Sequence, residues 1–281
     1  MIPYPSIDPI VFRIGPLAVR WYGIAYILGF LCAYGILKKL AAQGRVRLRR
    51  EAVGDLMSWL VAGLVLGARV GYVLFYNLPH FVSEPWKIVA VWEGGMSFHG
   101  GLVGVTAAAW LFARRGSLRF ASLGDMLVVA APPGLFFGRI ANFINGELYG
   151  RVTDLPWGMV FPGESEPRHP SQLYEAILEG LVLWAIVCWA WQRWWRRPGA
   201  TLSVFLAGYG ALRFVVEFTR EPDAQLGFIL GFLTMGQILS LATLAAGIWA
   251  WSRAKEAAAQ PPGQAPRDPA GTKRAAKRRT R

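Results

Sequence analysis

Three short stretches of this chain place ionisable and amide side chains inside, or at the ends of, strongly apolar blocks. The first is GGMSFHGG, residues 94–101, where two glycines precede and two follow the segment that holds His99. Glycine lets backbone N–H groups turn toward a ligand, and a helix start carries partial positive charge. Such a setting disfavours imidazolium, so His99 is a candidate neutral imidazole able to accept a proton. A glycine-rich packing turn with His99 bonded to a neighbouring helix fits the same residues. The second stretch is GRIANFINGELYGR, residues 138–151. Arg139, Asn142 and Gly146 fall at i, i+3 and i+7 with Asn145 beside them, a stripe of donors suited to a phosphate or a glycerol. Glu147 and Arg151 are spaced for an i, i+4 ion pair, and Gly150 permits a sharp turn. The competing interpretation is a helix end with asparagine caps.

The third stretch is YGALRFVVEFTR, residues 209–220, in which Tyr209, Arg213, Glu217 and Arg220 line one helix face. Arg213 and Glu217 either neutralise each other or leave the guanidinium, oriented by Glu217, to bind an anion. Arg69, between Gly67 and Gly71 in LGARVGYVLFY, adds a further buried cation. Tyr22 and Tyr26 offer hydroxyls, although interfacial anchoring explains such tyrosines equally well. Set against Glu147 and Glu217, the cations Arg69, Arg139 and Arg213 leave one positive charge over. A cavity of that kind takes an anion, and in a membrane the abundant anion is a phosphate-bearing lipid headgroup.

The elements that must carry these residues are transmembrane helices. Of the 281 residues 54% are hydrophobic and 17% are charged, with 13 Trp, 16 Phe and 9 Tyr. A soluble domain carries about 25% charged residues. A disulfide scaffold, a disordered chain and an ordinary cytosolic enzyme are therefore excluded, and the net charge of +13 belongs to a membrane protein, with no nucleic-acid partner. Apolar blocks at 19–37, 54–76, 97–113, 124–144, 173–192, 200–218 and 232–252 predict an all-α, polytopic bundle of about seven spans. Most of the 30 basic residues fall on one set of loops (Lys38 to Arg50, Arg114 to Arg119, Arg193 to Arg197) and on the tail after Arg253. The positive-inside rule then puts the N-terminus outside and the C-terminus in the cytoplasm. Residues 1–253 read as one integral membrane domain, and 254–281, rich in Pro, Ala, Lys and Arg, as a disordered cytoplasmic tail. The N-terminal segment lacks the features of a cleaved signal peptide. Cys32 and Cys188 read as buried small hydrophobes, and no metal-ligand spacing or cofactor motif is present.

Together with DPIVFRIGPLAVRWYG, GYVLFYN, RHPSQLYE, GYGALRFVVEFTREPDAQ and MGQILS, these motifs make the chain resemble the prolipoprotein diacylglyceryl transferase family from about residue 8 to 252. The resemblance implies seven transmembrane helices in the bacterial inner membrane and a site open to the periplasm and outer leaflet. It implies transfer of diacylglycerol from phosphatidylglycerol to the lipobox cysteine thiol of a preprolipoprotein, leaving a thioether and glycerol phosphate. No cofactor enters that reaction. The family's important residues match Tyr22, His99, Arg139, Asn142, Glu147, Gly150, Arg213 and Glu217. On this basis Arg139, Arg213 and His99 are expected to act in catalysis, with His99 as the base for the thiol. Tyr22, Arg69, Asn142, Asn145, Glu147, Gly150, Tyr209 and Glu217 are expected to bind substrate. A transporter or flippase for an anionic lipid would use the same buried arginines without chemistry, but paired broken helices and an internal repeat are not evident in the sequence.

Overall fold

The computed structural model of the chain describes residues 2–15, 17–221, 227–229 and 232–255. All but the first two residues of the expected tail, 256–281, lie outside that range. Short strands β1 (Ile2–Pro3), β2 (Ile10–Ile14) and β3 (Leu17–Arg20) precede helix α1 (Trp21–Ala42). Helix α2 (Val53–Phe75) leads through the short α3 (Leu78–Ser83) and two 3₁₀ turns to α4 (Phe98–Arg115). Helices α5 (Phe120–Ala130) and α6 (Pro132–Ile144) follow, then a loop lobe holding β4 (Met159–Val160). A third long run joins α7 (Ser171–Glu175), a π-helical segment (Ala176–Val182) and α8 (Leu183–Trp194). Helix α9 (Ala200–Val216), strands β5 (Phe228–Ile229) and β6 (Leu233–Thr234), and α10 (Met235–Arg253) complete the described chain.

Each expected apolar block is helical over most of its length, and the runs 21–42, 50–75, 120–144 and 171–194 are long and apolar enough to cross a membrane. The chain is thus a mostly helical, polytopic membrane protein. The expected unbroken helix over 124–144 is interrupted at Ala131, because Pro132 and Pro133 withdraw two backbone donors and restrict the residue before them. The small β elements, absent from an all-α reading, are two-residue pairings of β1 with β4 and β5 with β6, and the β2–β3 hairpin.

Helix pairing relies on small residues. Along α2, Gly63, Gly67 and Gly71 face Gly100, Gly104 and Ala108 of α4, so closely that a Cβ on Gly104 would lie 2.8 Å from the Gly67 Cα. Without a hydrophobic driving force between helices in lipid, such backbone approach supplies the packing energy. Gly29 of α1 meets Gly134 of α6, and Gly210 of α9 meets Leu244 of α10 in the same way. Helix ends are capped by specific partners. Ser97 accepts from the Gly100 N–H at 3.2 Å, and Thr234 with Gln237 forms a reciprocal capping box. The first N–H groups of α9 are met by Asp125 of α5, which accepts from Gly199 at 2.7 Å and Leu202 at 2.8 Å.

The main apolar core, with Leu37, Leu56, Leu123, Leu183 and Trp191, lies at the end where α1 stops and α2 begins. Around that rim, cations sit on aromatic rings: Lys38 on Tyr34 at 4.6 Å, Arg114 on Trp110 at 4.7 Å, Arg115 on Trp59 at 4.5 Å and Arg253 on Trp249 at 5.6 Å. At the opposite end Phe143, Met159 and Phe161, with Tyr4 and Tyr149, make a smaller core under the 145–170 lobe.

A leucine at Gly104 should overpack the α2–α4 seam by about 1–3 kcal/mol or more, lowering the detergent-solubilised melting temperature and folded yield. Gly54→Ala, where a Cβ meets nothing within 4 Å, should leave both unchanged or slightly raised.

Candidate active site

The end of the bundle where α6, α7 and α9 meet is built around two carboxylates with no exposed surface, Glu175 and Glu179. They are four residues apart on the run that turns π-helical at Ala176, a departure from α geometry that frequently marks functional sites. Gly180 lets α6 approach, since a Cβ there would lie 2.7 Å from the Phe136 Cβ. A buried charge persists only when paired, and here the partners are arginines. Glu175 Oε2 receives Arg139 Nη2 at 2.6 Å and Arg213 Nη1 at 3.1 Å, while its Oε1 receives Arg220 Nη1 at 2.5 Å. Glu179 Oε1 lies 3.4 Å from Arg213 Nη1 and its Oε2 3.9 Å from Arg139 Nη2. Arg213 Nη2 meets Glu217 Oε2 at 2.8 Å, and Thr234 donates to Glu217 Oε1 at 3.0 Å, which ties the α10 cap to the cluster.

Three guanidiniums therefore converge, Arg139 from α6, Arg213 from α9 and Arg220 from the segment just after α9. The arginine side chains keep 23% (Arg139), 15% (Arg213) and 17% (Arg220) of their surface exposed, whereas Glu175 and Glu179 keep none. That exposed arginine surface is what an anion could reach. The charge sum drawn from sequence needs correction: Glu175 and Glu179, together with Glu217, balance Arg139, Arg213 and Arg220, so no cation is left over within the cluster. Two carboxylates one turn apart inside the apolar block 173–192 were the legible signal for this pair.

Asn142 and Asn145 converge on one oxygen, donating to Glu147 Oε1 at 2.9 and 3.1 Å. The Glu147–Arg151 pair of the competing helix-end interpretation is not seen among the described residues; Arg151 Nε donates to the Arg220 carbonyl at 2.6 Å. Gly146 has φ 65°, and this position rather than Gly150 supplies the left-handed turn. Gly150 is required by contact: its N–H donates to the His169 carbonyl at 2.8 Å, and a Cβ would lie 2.9 Å from the His169 Cβ. The backbones of Gly150 and Arg220 form a β-bridge, so the 145–170 lobe is joined to the residue that completes the arginine cluster. Within the lobe, hydrogen bonds from Tyr149 and Arg168 hold the Glu164 carboxyl below its ordinary range. Burial, with the Arg151 charge nearby, lowers the His169 imidazole, which keeps it neutral near pH 7.

Other expected site residues lie apart from the ion-pair cluster. Arg69 is nearly buried and donates to the carbonyls of Lys87, Ile88, Ala90, Gly94 and Gly95, with its guanidinium 5.1 Å from the Phe81 ring centre. It clamps the loop that leads into His99. His99 occupies the first turn of α4, is exposed, and touches the Phe98 ring edge-on. No hydrogen bond or ion pair joins it to the arginines among the described residues. Tyr22 and Tyr26 pack edge to face at 5.2 Å at the start of α1. Tyr209, one turn before Arg213, stacks on Phe205.

The arrangement is a set of orientated guanidiniums, fixed by buried carboxylates, beside an amide–carboxylate group. Comparison with known proteins gives it a context. The family model described as prolipoprotein diacylglyceryl transferase matches residues 9–253. The phosphatidylglycerol–prolipoprotein diacylglyceryl transferase of Nitratidesulfovibrio vulgaris Miyazaki F is 51% identical over 264 residues, 93% of this chain and 99% of its own length. Its namesake from Rhodospirillum rubrum is 52% identical over 88% of this chain and 92% of its own. That from Geobacter sulfurreducens is 53% identical over 87% and 94%. With a match that spans almost every described helix, this chain belongs to the prolipoprotein diacylglyceryl transferase family.

Proposed function

We propose that this chain transfers the diacylglyceryl group of phosphatidylglycerol to the lipobox cysteine of a preprolipoprotein, and that it does so at the Arg139–Arg213 cluster. The relatives named above carry that activity in their names, at about half identity over nine-tenths of this chain. The observation that carries the site assignment is that Arg139 and Arg213, from different helices, share one oxygen of Glu175 at 2.6 and 3.1 Å. Cations held this way can grip a phosphate without rearranging.

The chemistry balances with these residues. A cysteine thiolate attacks the glycerol carbon that bears the phosphate, a C–S bond forms, and the C–O bond breaks with its electron pair passing to the phosphate oxygen. Charge grows on that oxygen in the transition state, where preorganised donors lower the barrier most. Arginine suits the role because it stays charged and binds phosphate through two N–H groups. Asn142, Asn145 and Glu147 are assigned to the glycerol of the headgroup, with Glu217 orienting Arg213 and Tyr22, Tyr209 and Gly150 shaping the site. His99 is assigned as acceptor of the thiol proton, and Arg69 supports it by fixing the loop from Lys87 to Gly95.

The fuller topology is part of the same proposal. Leu37, Val53, Ala113, Leu123 and Trp191 share one core, Asp125 meets the start of α9 and Trp194 meets Trp251, so these ends of the seven helical runs pack together, next to the basic loops in sequence. This supports seven spans in the bacterial inner membrane, with the N-terminus and arginine cluster periplasmic and the C-terminus cytoplasmic.

Purified protein, phosphatidylglycerol and a lipobox peptide should yield a diacylglyceryl adduct by mass spectrometry. Replacing Arg139 or Arg213 by alanine should cost about 3–4 kcal/mol of barrier, a hundred- to thousand-fold in rate; an unaltered rate would remove the cluster from the reaction. His99→Gln should slow transfer. Near-full transfer would dismiss His99 as the base.

A further inference from the structure

The reaction as assigned uses the cations of the cluster but not the carboxylates beneath them. Glu175 employs both of its oxygens on guanidiniums. Glu179 does not. It is fully buried, its Oε1 is 3.4 Å from Arg213, and its Oε2 has no hydrogen-bond partner. That oxygen lies 3.9 Å from Arg139 Nη2, and a buried carboxylate oxygen without a hydrogen bond is costly, so Glu179 is a poor clamp for the arginines. What Glu179 contributes to every group around it is its charge. With Glu179 counted, Arg139, Arg213 and Arg220 face three carboxylates, Glu175, Glu179 and Glu217, and the cluster is formally neutral.

We infer that Glu179 is a positioning residue that sets the charge of this phosphate cradle, keeping it weak enough to release its product. The inference rests on the cluster being the phosphate site. The substrate phosphodiester carries one negative charge; the phosphomonoester product, glycerol phosphate, carries two at most once deprotonated. A cradle with one extra positive charge would hold both more tightly, and the product by about twice the energy, because the Coulomb term scales with the charge of the ligand. Neutrality at rest favours turnover over product retention.

The test uses the full chain in detergent with Glu179→Gln, measuring the KM for phosphatidylglycerol and the inhibition constant of added glycerol phosphate above neutral pH. The inhibition constant should fall roughly tenfold and the KM roughly threefold, so that their ratio moves. Glu179→Asp keeps the charge and should leave the ratio at its wild-type value. The double variant Glu179→Gln/Arg220→Gln restores neutrality and should bring the ratio back, which a purely structural role would not do. A folded Glu179→Gln protein with an unmoved ratio overturns the inference. Where that variant does not fold, the double variant is compared with Arg220→Gln alone, and failure of the second change to tighten glycerol phosphate again overturns it. The two levels fail differently: a wild-type protein blind to glycerol phosphate, together with Arg213→Ala of normal rate, discards the phosphate site itself. Inhibition of the wild type with an unmoved Gln variant discards only the role of Glu179.

Discussion

One carboxylate that water does not reach, Glu175, organises the active end of this molecule. Arg139 from α6 and Arg213 and Arg220 from α9 and its end all bond to it. Like charges a few ångströms apart repel by about 4 kcal/mol each at an effective dielectric of 20, so these cations could not gather without a fixed anion among them. Glu175 lies on the helical run between the two arginine-bearing helices and draws both inward. The π-helical turn beside it and the Gly180 approach to Phe136 bring that run close enough to do so. Thr234 and the β-bridge from Gly150 to Arg220 extend the same network to α10 and to the 145–170 lobe. An electrostatic knot thus takes the place that an apolar core takes in a soluble enzyme.

Elsewhere the helices are held by contact between backbones. The glycine seam of α2 and α4 is a run of close backbone contacts, joined at the Ser97 cap by a hydrogen bond from the Ser97 N–H to the Ala68 carbonyl at 2.9 Å; in lipid close packing itself discriminates between helix pairs. Arg69 shows how the two modes meet. It emerges from the glycine seam, but its guanidinium collects loop carbonyls, so the rigid pair of helices also sets the course of the chain before His99. The molecule has a dense apolar base, a polar upper end, and seams of small residues connecting them.

Much of this was legible in the sequence. The apolar blocks gave the helices because each block is long, and Arg213, Glu217 and Arg220 of the expected stripe do meet in one ion-pair cluster because their spacing is local. The family resemblance added the reaction. What stayed hidden was which side chain meets which. Spacing of i, i+4 allowed Glu147 to pair with Arg151, yet the chain leaves its helix at Asn145 and the spacing no longer applies. Arg69, Arg139 and Arg213 were pooled into one charge sum, although helix order sends Arg69 to a loop of carbonyls. Glu175 and Glu179 were visible as carboxylates inside an apolar block, but their importance depends on partners more than thirty residues away. The Pro132 break was foreseeable from two adjacent prolines; the short strands, two residues long, carry too little pattern to read.

The rim of ring-backed cations at the far end has a mechanical consequence. Arg114, Arg115 and Arg253 sit on indoles, and Lys38 on a phenol, groups that prefer the narrow zone between hydrocarbon and water. Spread over α1, α4 and α10, they resist bobbing and tilting alike. In the proposed orientation, the height at which a lipid in the other leaflet would meet Arg139 is gauged from across the bilayer, like a tabletop levelled at its feet.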